Sequence, residues 1–213
     1  MRTAIVLAGG RSARFGADKL TAQLEGLSLV SATISRFVGI VDGLIVAGSE
    51  PSDWRRVWDD SVPLAIIPDA DPFGGPLAAL ANVLRPASPD QEDLAIVVGG
   101  DMPALVPDVL RAMFDRLERG PSVDALVLGA AEPLSEPVAP LQVLPLALRV
   151  ASARTVVLDA LGAGRHSLRS LLDDLAWAAI PGAEWLPLDP SASTLLDVDT
   201  PEDLDRLRAG KGR

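Results

Sequence analysis

No cysteine occurs in the 213 residues. Disulfides, thiolate zinc sites, iron–sulfur clusters and cysteine nucleophiles are thereby excluded. Histidine is almost as scarce: His166 stands alone, and a lone histidine leading into a helical stretch reads as incidental. Aromatic residues make up 4 % of the chain against 48 % hydrophobic residues in all, so aliphatic side chains must fill most of the core. Basic residues number 19 and acidic ones 29, for a formal net charge of −10. That balance lacks the basic face a nucleic-acid binder needs. A few local cations can still outweigh a distant negative field for a small anion. Apolar runs all fall short of the roughly 18–20 residues that span a bilayer, and no signal-peptide pattern precedes the first strand-like segment. The expectation is a cytoplasmic protein with no nucleic-acid and no membrane partner.

Short apolar runs alternate with amphipathic segments in the first half. "TAIVLA" (residues 3–8), "GLIVAG" (43–48), "LAIIP" (64–68) and "LAIVVGG" (94–100) are continuously apolar. Strands buried on both faces have this composition, and they belong to parallel sheets. Helices are predicted over residues 29–37, 52–59, 76–84 and 107–119. The last carries Val109, Leu110, Met113, Phe114 and Leu117 on one stripe, with Pro107 in its first turn. Strand-then-helix repetition implies an α/β fold, doubly wound around a mostly parallel central sheet. A single domain over residues 1–209 is expected, with 210–213 as a frayed tail. In the second half, strands are predicted at 125–129, 139–144 and 194–199, and helices at 149–161 and 167–175. "AAEPLSEPVAP" (130–140) reads as a loop. A last helix starts at Thr200, which can cap it, followed by Pro201 and by Glu202 and Asp203 at the positive end of the dipole.

Ligands of such sheets bind outside the carboxyl ends of the strands, so residues that follow strands carry the functional signal. "IVLAGGRSARFGADKL" (5–20) places Gly9 and Gly10 behind the first strand and then Arg11, Arg14 and Lys19. Glycines let backbone N–H groups approach a phosphate. Arginines can bind its oxygens in pairs, and lysine supplies a point charge. The spacing matches neither the dinucleotide fingerprint nor the Walker A loop. Lys19 is one of two lysines, the other being Lys211; every other basic residue is arginine. An ordinary solvated loop is the plain alternative. Asp101, in "VVGGDMPAL", follows a buried strand where a carboxylate suits a metal, and a turn aspartate is its alternative. Asp197 and Asp199 close the predicted last strand on one side of it. There Asp199 could share a metal with Asp101, or one of the pair could cap the next helix. Asp69 follows another strand, and Gly74, Gly75 and Pro76 precede a helix, where glycines would admit a flat base or sugar. Glu25, Asp53 and the remaining scattered carboxylates read as surface. Cationic loop and metal-binding carboxylates together describe nucleotidyl transfer with pyrophosphate as leaving group.

Four segments, "LAGGRSARFGADK", "GGPLAAL", "GGDMP" and "DVDTPEDL", resemble in order the motifs of the molybdenum cofactor guanylyltransferase (MobA-like) family of nucleotidyltransferases. The resemblance spans residues 5–207. It implies a three-layer Rossmann-like nucleotidyltransferase fold and transfer of GMP from GTP to the phosphate of molybdenum-bearing molybdopterin. It further implies that Leu7, Ala8, Gly9, Gly10, Arg11 and Gly75 contact the nucleotide and Asp69 the nucleoside. Lys19 and Arg14 would serve the phosphates, and Asp101 would hold Mg2+, with Asp199 as a second ligand. Lys19, Asp101 and Arg14 are the expected catalytic set. GTP and a molybdopterin-type substrate are the expected partners, with transient contact to molybdoenzyme maturation proteins. Departures from the family pattern are Ala47 in place of a polar residue, aspartates in the closing motif, and "APLQVLPLAL" without an aromatic–arginine ending. A cytidylyltransferase, a sugar-phosphate nucleotidyltransferase and a non-catalytic nucleotide-binding partner protein are the alternatives.

Overall fold

The structure, a computed structural model, describes residues 1–9, 19–69, 74–86, 92–130 and 141–210. Its elements, in chain order, begin with β1 (Arg2–Ala8), β2 (Gln23–Leu24), β3 (Leu27–Ser28), α1 (Leu29–Ser35), β4 (Gly43–Gly48) and β5 (Leu64–Ile67). Then come α2 (Gly75–Leu84), β6 (Leu94–Gly99), α3 (Pro107–Arg119), β7 (Ala125–Leu128), β8 (Leu146–Arg149) and α4 (Val150–Gly162). The chain ends with β9 (Trp177–Ile180), α5 (Gly182–Trp185) and α6 (Pro201–Gly210).

Seven strands form one sheet in the order β5-β4-β1-β6-β8-β7-β9. The first four are parallel to one another. β8 runs antiparallel to both β6 and β7, and β9 is parallel to β7. Side-chain alternation divides the buried strand residues between two layers. Ala4, Val6, Val46, Ile96 and Val98 pack with Ile34, Phe37, Val109, Met113 and Phe114 of the α1 and α3 side. Ile5, Leu7, Ala95, Val97 and Leu148 pack on the other side with Leu77, Leu80 and Leu84 of α2 and with Ala153 and Val157 of α4. The predicted α/β fold with three layers and a mostly parallel sheet is thus the observed one.

A smaller apolar cluster joins Leu24, Leu29, Ala32, Val198 and Leu204. It pins the β2–β3 hairpin, α1 and α6 together. The hairpin turns on Glu25 and Gly26, both at positive φ, as a two-residue turn between twisted strands requires. α6 begins with a reciprocal cap. The Asp203 N–H donates to Thr200 Oγ1 at 3.2 Å, while Asp203 Oδ2 accepts from the Thr200 N–H at 2.9 Å.

Several elements depart from the sequence-based expectation. The helix expected at 52–59 is one 3-10 turn at Trp54–Arg56, and that at 167–175 is the 3-10 helix Leu168–Asp173. Residues 194–199 do not join the sheet. β8 already occupies the free side of β6, so this segment makes a 3-10 turn at Ser193–Leu195 and then lies extended against Asp101. Residues 141–144, the described part of another expected strand, lie outside the sheet as well. There the Gln142 side-chain N–H donates to the Leu195 carbonyl at 2.7 Å instead. Among the described residues no helix is long and apolar enough to cross a membrane.

Candidate functional site

The carboxyl ends of β1 and β6 lie side by side, with Leu7 paired to Gly99 and the Gly100 N–H donating to the Leu7 carbonyl at 2.9 Å. Asp101 leaves β6 here and folds back over the strand end. A Cβ on Gly99 would stand 2.3 Å from Asp101 Oδ1, so only glycine leaves the carboxylate this room. α1 clamps the turn. Thr33 Oγ1 donates to the Gly100 carbonyl at 3.1 Å, and Arg36 Nε to the Pro103 carbonyl at 2.8 Å. From the other side, the Val198 N–H donates to the Asp101 carbonyl at 2.9 Å. That single bond brings residues 197–199 alongside Asp101.

Lys19 opens a 3-10 turn at Lys19–Thr21 and is only 7 % exposed. Its Nζ lies 2.6 Å from Asp101 Oδ2 and 2.6 Å from Asp199 Oδ1. Desolvation alone would lower the Lys19 pKa, but hydrogen bonds to Asp101 and then Asp199 outweigh it, and the net shift is upward. Lys19 is therefore a buried ammonium, with both carboxylates holding its charge. Asp197 lines the same cleft. Partial desolvation there, followed by the charge of Asp199, holds its carboxyl above the ordinary range. Two carboxylates converging on one cation suit a hard, oxygen-preferring metal such as Mg2+, which commonly takes one or two carboxylates beside substrate phosphates. Among the described residues no group of three or more His, Cys, Asp and Glu is arranged as a metal cage.

Asp69 reaches the same strand ends from β5. A Cβ on Gly9 would lie 2.0 Å from Asp69 Oδ2, so the carboxylate sits directly on the Gly9 backbone. Gly75 opens α2 at φ +75°, and there the backbone faces residue 166. The His166 carbonyl accepts from the Leu77 N–H at 3.4 Å, and His166 Nδ1 lies 3.2 Å from the Gly74 carbonyl. A carbonyl only accepts, so Nδ1 carries the proton in this contact. His166 thus ties the glycine-rich start of α2 to the turn that follows α4. The first of these bonds uses the backbone alone, and the Nδ1 contact is what the histidine side chain adds to a residue read from sequence as incidental.

A cleft of about 520 Å³ opens at Asp101 and Asp197. Leu7, Gly9, Gly99 and Asp101 line it at the strand ends, together with Pro76 and with residues 141–144 and 167–169. A guanidinium nitrogen of Arg169 donates to the Leu141 carbonyl and joins those last two segments.

Other charged groups are structural. Asp53 accepts from the Ser28 N–H at 2.8 Å, the Ser28 hydroxyl at 2.6 Å and the Ser31 hydroxyl at 2.6 Å. Burial alone would raise its carboxyl, but these bonds hold it below the ordinary range. Its reading as a surface residue is corrected: it organises the start of α1. Asp189, 2 % exposed, accepts from the Thr194 N–H at 2.7 Å and from the Ser191 and Ser193 hydroxyls at 3.0 and 3.1 Å. Again hydrogen bonds outweigh burial, and the pKa is lowered. Arg149 donates to the carbonyls of Val123, Leu117 and Gly120, closing the end of α3.

Of the residues singled out from sequence, Leu7, Gly9, Lys19, Asp69, Asp101 and Asp199 gather at the strand ends. Ala8 is buried in β1 beside them, and Gly75 faces the His166 backbone next to Pro76, which lines the cleft. Gly10, Arg11 and Arg14 lie outside the described residues. Two further cleft segments carry a signal in the sequence through the family resemblance: residues 167–169 lie in "AGRHSLRSLL" (163–172), similar to a basic, substrate-facing turn, and Gln142 lies in "APLQVLPLAL", at the place of the substrate-side strand.

A MobA-like NTP transferase domain model matches residues 4–180. The chain is 30% identical over 216 residues to a probable molybdenum cofactor guanylyltransferase from Chloroflexus aggregans, covering 100% of this chain and 96% of that one. A second relative of the same description, from Natronomonas pharaonis, is 30% identical over 219 residues, with 97% and 96% covered. Among solved structures, a molybdopterin-guanine dinucleotide biosynthesis protein A from Archaeoglobus fulgidus superposes with a TM-score of 0.73 at 21% identity, covering 99% of this chain and 98% of that one. At that identity the superposition speaks for the fold, while the family rests on the sequence matches. The domain model and the full-length relatives agree with the cleft at the strand ends: the chain belongs to the molybdenum cofactor guanylyltransferase family of MobA-like nucleotidyltransferases.

Proposed function

We propose that this nucleotidyltransferase moves GMP from GTP onto the terminal phosphate of a molybdopterin-type acceptor. An acceptor phosphate oxygen forms a bond to the α-phosphorus as the bond to the bridging oxygen breaks and pyrophosphate leaves. The observation that carries this reading is the convergence of Lys19, Asp101 and Asp199 at the ends of β1 and β6. Asp101 and Asp199 would hold Mg2+, as the donor set permits. Mg2+ bound there would neutralise phosphate charge. Lys19, a few ångströms from the same carboxylates, is placed to balance charge on the departing pyrophosphate. The backbone at Leu7–Gly9 and the Asp69 carboxylate would form the nucleotide side, with the start of α2 at Pro76 bordering it. Residues 141–144 and 167–169 line the part of the cleft where the acceptor would lie, and Arg169 offers it a cation.

Steady-state pyrophosphate release with GTP, CTP, ATP and UTP, in the presence of acceptor and Mg2+, tests the assignment. GTP is expected to be preferred by at least tenfold in kcat/KM, a margin a single well-made hydrogen bond to the base provides. Equal rates with CTP would overturn the choice of nucleotide. Absence of acceptor-dependent release with every nucleotide would overturn the reaction.

A further inference from the structure

The shared partner of the two metal-type carboxylates is a side chain of the protein itself. Lys19 Nζ takes one oxygen of Asp101 and one of Asp199, each at 2.6 Å. The Lys19 side chain is 9 % exposed, so the ammonium itself has little access to water. Asp101 is fixed: its turn is bonded to Thr33, Arg36 and Val198, and its carboxylate fills the space left by Gly99. The Asp199 backbone is tied to the cap of α6, where Asp203 Oδ2 accepts from its N–H at 3.2 Å, while its side chain is 50 % exposed. The lysine is the movable member, a point charge on a four-carbon stem.

A divalent ion seeking the same oxygens must displace an ammonium that is desolvated and doubly bonded. Removing either charge partner from such a set leaves the other uncompensated, which is strongly unfavourable. Phosphate oxygens change that balance, because they give the ammonium an anionic partner of its own. We infer that Lys19 is a resident counter-cation that keeps the Asp101–Asp199 position closed to free divalent metal, so that nucleotide phosphates must arrive with or before the ion. The inference rests on the nucleotidyl-transfer reading and adds a binding order to it. Lys19 would then act twice, first as placeholder and afterwards at the phosphates.

The test uses Mn2+ alone as probe, with no nucleotide, on the full chain. Titration followed by electron paramagnetic resonance of free Mn2+ compares the wild type with Lys19→Met and Lys19→Gln. Both variants are expected to bind one Mn2+ about tenfold or more tightly than the wild type, within the usual range of site-to-site coupling. Adding Asp199→Asn to Lys19→Met is expected to remove the gain. Equal or weaker Mn2+ binding by the folded lysine variants overturns the inference.

A second measurement needs no variant. The chain holds two lysines, Lys19 and Lys211, so isotope-labelled lysine gives two side-chain signals by nuclear magnetic resonance. Mg2+ alone, at low-millimolar concentration, is expected to leave the Lys19 signal in place, whereas GTP with Mg2+ moves it. A Lys19 signal that Mg2+ alone moves to the same position overturns the inference. Failure of either measurement while pyrophosphate release persists defeats only the binding order. Absence of acceptor-dependent pyrophosphate release by the wild type defeats the catalytic reading.

Discussion

Two groups of buried or half-buried carboxylates behave differently in this molecule. Asp53 spends its oxygens on N–H and O–H donors of Ser28 and Ser31 at the start of α1, and Asp189 on those of residues 191–194. Asp101 and Asp199 spend theirs on one ammonium at the mouth of a cleft. The first kind fixes backbone: Asp53 sets the start of α1, and Asp189 folds residues 191–194 at the start of α3, where the Val106 N–H donates to Thr194 Oγ1. The second kind keeps a partner that a ligand can exchange. A carboxylate whose donors are local amides and hydroxyls is committed to the fold. One whose donor is a long, movable cation is available for chemistry.

That contrast can be broken by substitution. The largest effect is expected at Asp101→Asn, which should reduce kcat/KM about 10²–10³-fold while melting temperature changes by only a few degrees. Measured together, a large melting shift with retained turnover would place Asp101 with the structural group. Next, Asp189→Asn removes an ionic acceptor from a buried set and should cost about 2 kcal/mol, roughly 4–8 °C in melting temperature, with kcat/KM retained once folded. Asp53→Asn weakens a cap and should cost about 1 kcal/mol.

Acid sharpens the same comparison. Asp53 and Asp189 both have pKa values lowered in the folded state. Their unfolded values lie near ~4. Their stabilisation is therefore complete above that pH and is lost as pH falls through the lower, folded values. Melting temperature of the wild type should drop more steeply below about pH 4 than that of Asp189→Asn. Parallel curves for the two proteins would contradict the assignment. The smallest effect is expected at His166→Ala, which removes the side-chain bond to the Gly74 carbonyl and leaves the backbone bond to Leu77. KM for GTP should rise about fivefold, the equivalent of one neutral hydrogen bond, with kcat little changed and His166→Asn recovering part of the loss.

The parallel half of the sheet was legible because its strands are buried on both faces and so appear as unbroken apolar runs. α3 was legible because its stripe of Val109, Leu110, Met113, Phe114 and Leu117 has helical spacing and is buried throughout. β8 was not, because its four residues pass directly into α4 and its apolar run merges with the helix. β9, "WAAI", has two alanines of low strand preference and an exposed tryptophan, and its pairing with β7 supplies what its sequence does not. The error at 194–199 had a similar origin. An apolar, aspartate-ended run looks like a strand, but partner availability decides, and β6 was already paired on both sides.

At the site, Lys19, Asp69, Asp101 and Asp199 were legible from their places at element ends. What the sequence withheld was their mutual arrangement. Nothing in it says that one lysine bridges two aspartates, 82 and 180 residues further along the chain. The roles of Asp53 and His166 were hidden for the same reason, since their partners lie 22 and more residues away.

The most direct test of the central claim is acceptor-dependent pyrophosphate release from GTP and Mg2+ by the wild type and by Lys19→Met, with folding of both checked by melting. The account predicts release by the wild type and a loss of at least about 10²-fold in a folded Lys19→Met protein. Undiminished release by that variant would contradict it.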